Sequence, residues 1–261
     1  MSDFRGKRLA ALQAKIAALE TGGRPDAGVL PFGAPELDEA LPGGGLPLAR
    51  WHEITGEGME TETAAAPAAF AALAASPLAR KGEAVWILRR DDLWAPGLTG
   101  LGFPAEKLIC VCARDDAEAL AVMEDALGTA GVACVIAEVE DVDLTAGRRL
   151  QLACERRGAT GFVLRRRPFG GGARREAAGS AAATRWRVAS APSEDVEFGL
   201  GAPRFQVTLE RCRGGRTGAW ILEAEKAYLW EAGDVAHPLR LVARLGDREL
   251  APQESAVRKA A

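Results

Sequence analysis

Four short apolar runs, spaced so that helices fit between them, constrain the fold of this chain more than any other feature. They are AVWIL at 84–88, LICVC at 108–112, VACVIA at 132–137 and GFVL at 161–164. None alternates polar with apolar residues, so each reads as a strand buried on both faces. Asp115 and Glu118 have the spacing of a capping box and open a helix that carries Leu120, Met123 and Leu127. Thr145 is placed to cap a second helix running to about Arg157. Strands alternating with helices in this way make an α/β fold with a mostly parallel sheet flanked by helices. The pattern then changes. TRWRVA (184–189), RFQVTLERC (204–212) and AWILEA (219–224) alternate, with Phe205, Val207 and Leu209 on one face. RGGRTG at 213–218 is a hairpin signal, so the sheet is expected to finish in antiparallel edge strands at its C-terminal end.

Four regions flank or interrupt this core. Residues 4–20 read as an amphipathic helix with Leu9, Leu12, Ile16 and Leu19 in one stripe, followed by the linker TGGRPDAG at 21–28. The alanine-rich stretch Ala64–Ala75 reads as a helix with Pro67 in its first turn. Arg165 to Ala183 is rich in Gly, Ala and Arg and reads as a long loop, and from Gly246 the chain is polar. The expected division is thus an interaction helix and linker over 1–28, one domain over 29–245 and a frayed tail over 246–261. With a net charge of -3 the whole chain gives no argument for nucleic acid, so any basic surface is local. No apolar run approaches a membrane span and no secretory signal opens the chain, so a cytoplasmic protein without membrane contact is expected. The five cysteines, Cys110, Cys112, Cys134, Cys154 and Cys212, do not form a disulfide framework. The C-x-C at 110–112 leaves zinc ligation open, but with only His52 and His237 elsewhere, core packing is the expected role and no metal site is assigned.

Phe32–Thr63, FGAPELDEALPGGGLPLARWHEITGEGMETET, resembles the opening of the RecA recombinase core. There a T-G-x-x-x-L-D-x-x-L-G-x-G-G-L-P-x-G-R motif runs into a strand and a P-loop. Leu37-Asp38, Leu41, Gly44-Gly45-Leu46-Pro47 and Arg50 occupy the matching places, and His52-Glu53-Ile54 matches the strand. The resemblance implies a RecA-like core. It fails where ATP would bind. A working P-loop reads G-x-x-x-x-G-K-[ST], its lysine reaching the β- and γ-phosphates. Here Gly56 opens the loop, Thr61 replaces the second glycine, Glu62 replaces the lysine and Thr63 closes it. Glu57, Glu60 and Glu62 would face a polyphosphate with like charge, a repulsion of kilocalories in a partly desolvated loop. No ATP binding in the usual mode, no catalytic residue and no cofactor are expected. Glu138 falls at the Walker-B position and Asp91 or Asp92 near the family's water-activating glutamate, as inherited carboxylates with no phosphate to serve.

The stretches WILRRDDLWAPGL (86–98), RDDAEAL (114–120), DLTAGRRLQLACERRGATGFVLRR (143–166), TRWRVASAPS (184–193) and LERCRGGRTGAW (209–220) are similar to those of the ImuA family. These are RecA-like accessory factors of inducible mutagenesis in bacteria. The resemblance implies a non-enzymatic part in SOS-induced translesion synthesis. It implies as partners an inactive Y-family-like polymerase homologue and an error-prone replicative-type polymerase subunit, with single-stranded DNA, RecA or a second copy of the chain as further candidates. Two other readings stay open. One is a DNA-stimulated ATPase with an atypical P-loop; the other is an SOS cell-division inhibitor, which shares the fold without a P-loop.

Arg165, Arg166, Arg167, Arg174 and Arg175, with Arg185 and Arg187 on the next strand, form the concentrated basic stretch of the chain. In recombinases the corresponding loop contacts single-stranded DNA, and Phe169 offers a ring for stacking. The alternative is a solvated loop with no partner. The stripe Leu9, Leu12, Ile16 and Leu19 either seats a partner or packs on its own domain.

Overall fold

The computed structural model describes residues 27–57, 65–166, 180–194, 201–224 and 239–245. The small helical and extended pieces of the RecA-like motif come first. Strand β1 (Val29–Leu30) pairs antiparallel with β2 (Leu46–Pro47), and the short helix α1 (Pro35–Asp38) lies between them. Asp38 holds this segment in shape, one carboxylate oxygen accepting the Phe32 amide at 2.7 Å and the other the Gly33 amide at 3.0 Å. Leu37 and Leu41 are buried beneath it. Gly43 and Gly44 take φ of 73° and 82°, the left-handed region that favours glycine. Gly45 is needed for another reason: a Cβ there would lie 2.7 Å from the Leu30 carbonyl carbon. At position 49 the motif has glycine and this chain has alanine, which keeps a left-handed φ of 52°. Each of these motif residues therefore shapes the entry to the sheet.

That sheet has nine strands in the order β11-β10-β9-β8-β3-β7-β6-β4-β5. Its parallel half consists of β3 (Trp51–Gly56), β4 (Glu83–Leu88), β5 (Leu108–Cys112), β6 (Val132–Val139) and β7 (Thr160–Arg165). Strand β8 (Thr184–Ala191) joins β3 in parallel and turns the sheet antiparallel through β9 (Arg204–Cys212), β10 (Gly218–Ala224) and β11 (Leu239–Leu245). The parallel sheet and antiparallel end agree with the sequence pattern, and the 213–218 turn joins β9 to β10. Three readings are corrected. LICVC is not a doubly buried strand but the sheet's edge, with Ile109 47% exposed, because an apolar run does not distinguish an edge from a centre. Arg165 belongs to β7 and not to the loop after it. Of the cysteines, Cys134 and Cys154 pack in the core, whereas Cys110 and Cys112 are exposed on β5.

Helix α2 (Ala65–Ala79) covers one face of the sheet and is apolar on all sides, which fits its nearly complete burial. Phe70 and Leu73 meet Trp86, Ile136, Phe162 and Trp186 in that layer. The short helix α3 (Ala95–Thr99) follows β4. On the opposite face, α4 (Asp116–Leu127) and α5 (Leu144–Arg157) bury Met123, Leu127 and Leu150 against Val135, Val163 and Trp51. The expected cap Asp115 accepts the Glu118 amide at 2.8 Å. For α5 the cap is Asp143, accepting the Ala146 amide at 2.7 Å, and not Thr145. His52 is a buried strut: the Pro47 carbonyl, 3.0 Å away, can only accept, so Nε2 carries the proton. Nδ1 accepts from the Thr184 hydroxyl at 2.7 Å. Among the described residues, no helix is long and apolar enough to cross a membrane, and no three His, Cys, Asp or Glu side chains group to hold a metal.

Candidate functional site

In an open parallel sheet the ligand crevice lies beyond the carboxyl ends of the strands. Here that edge is formed by Gly56 at the end of β3, Glu138 on β6, Arg165 and Arg166 at the end of β7, and the segment after β4 that contains Asp91 and Asp92. Val139 points into the α4/α5 layer, so strand alternation directs Glu138 to the α2 face, the side on which β3 leads into α2. Glu138, the residue at the Walker-B-like position, therefore lies on the α2 side of the sheet. Its surroundings, however, are already filled by the chain.

Arg166 is the group that fills them. Its guanidinium faces Asp92 with two parallel bonds, Nη1 to Oδ1 at 2.9 Å and Nη2 to Oδ2 at 2.7 Å. The same Nη1 donates to Glu138 Oε2 at 3.0 Å. Glu138 is 2% exposed and also accepts from Trp86 Nε1 and from the Arg89 amide, both at 3.3 Å. Burial pushes its carboxyl above the ordinary glutamate range, and the charge of Arg166 opposes that shift without cancelling it. The bond from Arg166 holds Asp92 below the usual carboxylate range. Two carboxylates placed to serve magnesium and water in an ATPase therefore share an internal cation, and a bound metal would have to displace a bidentate guanidinium. The described residues do not fit a Mg-nucleotide.

The other face of the same edge holds a second charge cluster. Glu53, 2% exposed on β3, accepts from Arg165 Nη1 at 2.9 Å, from Arg185 Nε at 3.2 Å and from the Ser180 hydroxyl at 2.9 Å. Arg165 continues to Asp141 at 2.6 Å and donates to the Glu140 carbonyl. Arg187 pairs with Glu210 at 2.7 Å, and Arg89 pairs with Asp116. The four described arginines of the basic stretch are therefore matched by carboxylates, and Arg165 is 8% exposed. This revises their reading as a loop-borne basic patch: Arg165 and Arg166 knit the ends of β3, β6 and β7 together. Arg167, Phe169, Arg174, Arg175, the P-loop residues Thr61, Glu62 and Thr63, and the stripe Leu9, Leu12, Ile16 and Leu19 lie outside the described residues. Glu53 was not singled out from the sequence, although a glutamate inside WHEIT, flanked by core residues, is a signal for a buried ion pair.

Comparison with known proteins places these observations. The chain is 57% identical over 244 residues to Protein ImuA of Caulobacter vibrioides strain NA1000 / CB15N, covering 91% of this chain and 98% of that protein. The same identity is found with Protein ImuA of strain ATCC 19089. No family model matches the chain. Among solved structures, a KaiC-like protein of the archaeon Pyrococcus horikoshii OT3 superposes with a TM-score of 0.53 at 15% identity, covering 82% of this chain and 99% of that one. At that identity the likeness shows the fold alone.

Proposed function

Because the chain belongs to the ImuA family, we propose that it is a non-catalytic accessory protein of damage-induced mutagenic DNA synthesis. It acts by binding an inactive Y-family-like polymerase homologue and an error-prone replicative-type polymerase subunit. The observation that carries the non-catalytic reading is Arg166, bonded to both Glu138 and Asp92. Phosphoryl transfer on a RecA-like core needs a lysine at the phosphates and carboxylates free to hold magnesium and orient water. This chain has Glu62 in the first place and a guanidinium on the second. What the fold retains is a rigid sheet that presents loops and helix faces to other proteins.

Single-stranded DNA contact, where the chain makes it, falls to Arg167, Arg174 and Arg175, since Arg165 is committed to Glu53 and Asp141. Co-expression of the full chain with each polymerase-type partner tests the proposal. A complex should co-purify without nucleotide and survive both Mg-ATP and EDTA. A complex that forms only with ATP would favour the ATPase reading. Association with the tubulin-like division protein, and with neither polymerase, would favour the division-inhibitor reading.

A further inference from the structure

Strand β5 closes one end of the sheet, and among the described residues no strand pairs with its outer side. The direction of its backbone groups follows from the pairing. β5 runs parallel to β4, with Ile109 opposite Val85 and Val111 opposite Ile87. The Ala113 amide, next in line, donates to the Leu88 carbonyl at 2.9 Å. Backbone groups alternate sides along a strand, so those of Ile109 and Val111 share the inward direction of Ala113. The N–H and C=O groups of Leu108, Cys110 and Cys112 therefore point away from the sheet. Natural edges are usually guarded by charge, proline or a bulge. The opposite edge, β11, carries Arg240 and Arg244. LICVC has no charged residue, no proline and no irregularity in its register with β4, and Ile109, Cys110 and Cys112 are exposed.

We propose that β5 pairs antiparallel with β5 of a second copy of this chain, joining the two sheets across a two-fold axis at Cys110. Three observations select a second copy as the occupant. In this register Leu108 lies opposite Cys112, and Cys110 opposite its own counterpart. Every outward backbone group of one strand then meets an outward group of the other, which an antiparallel ladder requires. The side chains match as well. Ile109 lies opposite Val111 of the second copy, both on the α4/α5 side, because their β4 partners Val85 and Ile87 belong to that apolar layer. Beyond the strand ends, the exposed Glu106 approaches Arg114 of the second copy, a side chain 87% exposed although paired with Glu118 of its own chain. The contact is isologous, one strand supplying both sides. It stands apart from the accessory role proposed above and does not depend on it.

Sedimentation of the full chain over a concentration series, joined to oxidative cross-linking, tests it. The wild type should pass from monomer to dimer as its concentration rises. Cys110→Lys sets like charges against each other at the axis, on an exposed side chain, and should weaken the dimer at least tenfold. Its Tm, measured where the wild type is monomeric, should stay within a degree or two. Directly opposed residues of such a ladder lie about 5.5 Å apart between Cα atoms, within the span of a disulfide. Diamide should therefore link two chains through Cys110, and the linked species should persist in Cys112→Ser and vanish in Cys110→Ser. Should Cys110→Lys lower the Tm, the cross-linking pattern decides alone. A wild type that stays monomeric throughout overturns the proposal, as does a dimer that a folded Cys110→Lys leaves intact. A cross-link that survives Cys110→Ser overturns this register. A monomeric wild type whose capture of a polymerase-type partner is abolished by Cys110→Lys would assign the edge to a strand of that partner instead.

Discussion

Arg166 joins Asp92 and the buried Glu138 in one internal ion-pair cluster at the carboxyl ends of the strands. Arg166→Ala would leave the buried Glu138 without its counter-charge, a loss of about 3–5 kcal/mol of stability at neutral pH. Glu138→Gln should behave differently, and its pH dependence has a definite sign. Glu138 has a raised folded value, so its contribution is present below the ordinary glutamate value and is lost as pH rises through the folded one. The variant lacks that loss, so its Tm relative to wild type should climb between mildly acidic and neutral pH. Asp92 has the opposite sign, its contribution being lost as pH falls through a depressed value, and it remains in both proteins. A relative Tm that instead falls with rising pH would mean that the ion pair outweighs burial. Ala49 offers a simpler test. It keeps the left-handed backbone of a glycine position, at a cost of about 1 kcal/mol. Ala49→Gly should therefore raise the Tm by about 2–4 °C.

The helices of the α4/α5 layer each depend on an aspartate cap. Asp115→Ala and Asp143→Ala should each lower stability by about 1 kcal/mol, measured by urea unfolding. Thr145→Ala, by contrast, should have little effect on the α5 cap. The first cap was legible because Asp115 and Glu118 stand three residues apart ahead of an apolar periodicity. The second was misplaced by two residues because Asp143 and Thr145 are both cap-forming types, and only the backbone shows which oxygen reaches the Ala146 amide. The interior strands β4, β6 and β7 were legible from unbroken apolar runs. The same signal misread β5, since composition does not reveal whether a strand has one neighbour or two. Strand β11 carries Arg240 and Arg244 among its apolar residues and follows a long connection, so nothing local marks it as part of the sheet. Its Arg240 pairs with Glu223 of β10, a cross-strand contact invisible in one dimension.

For the molecule as a whole, the residues that signal the RecA-like fold turn out to be structural. Leu37, Leu41 and Gly45 pack within the entry to the sheet, Asp38 accepts its backbone amides, and Arg50 pairs with Glu155 of α5. The sequence alone therefore identified the fold, while the loop positions that lack the lysine, Thr61 to Thr63, lie outside the described residues. The site was less legible. Adjacent arginines at 165 and 166 read as one basic patch, yet strand alternation sends them to different carboxylate clusters on opposite faces of the sheet. The central claim is that this is a RecA-like scaffold whose nucleotide site is closed by its own charges. Isothermal titration of the purified full chain with Mg-ATP measures it most directly. The account predicts no saturable heat up to millimolar nucleotide, and the same result for Glu62→Lys, since Thr61 and Arg166 still stand in the way. A dissociation constant below about 100 μM, near -5.5 kcal/mol, would contradict it.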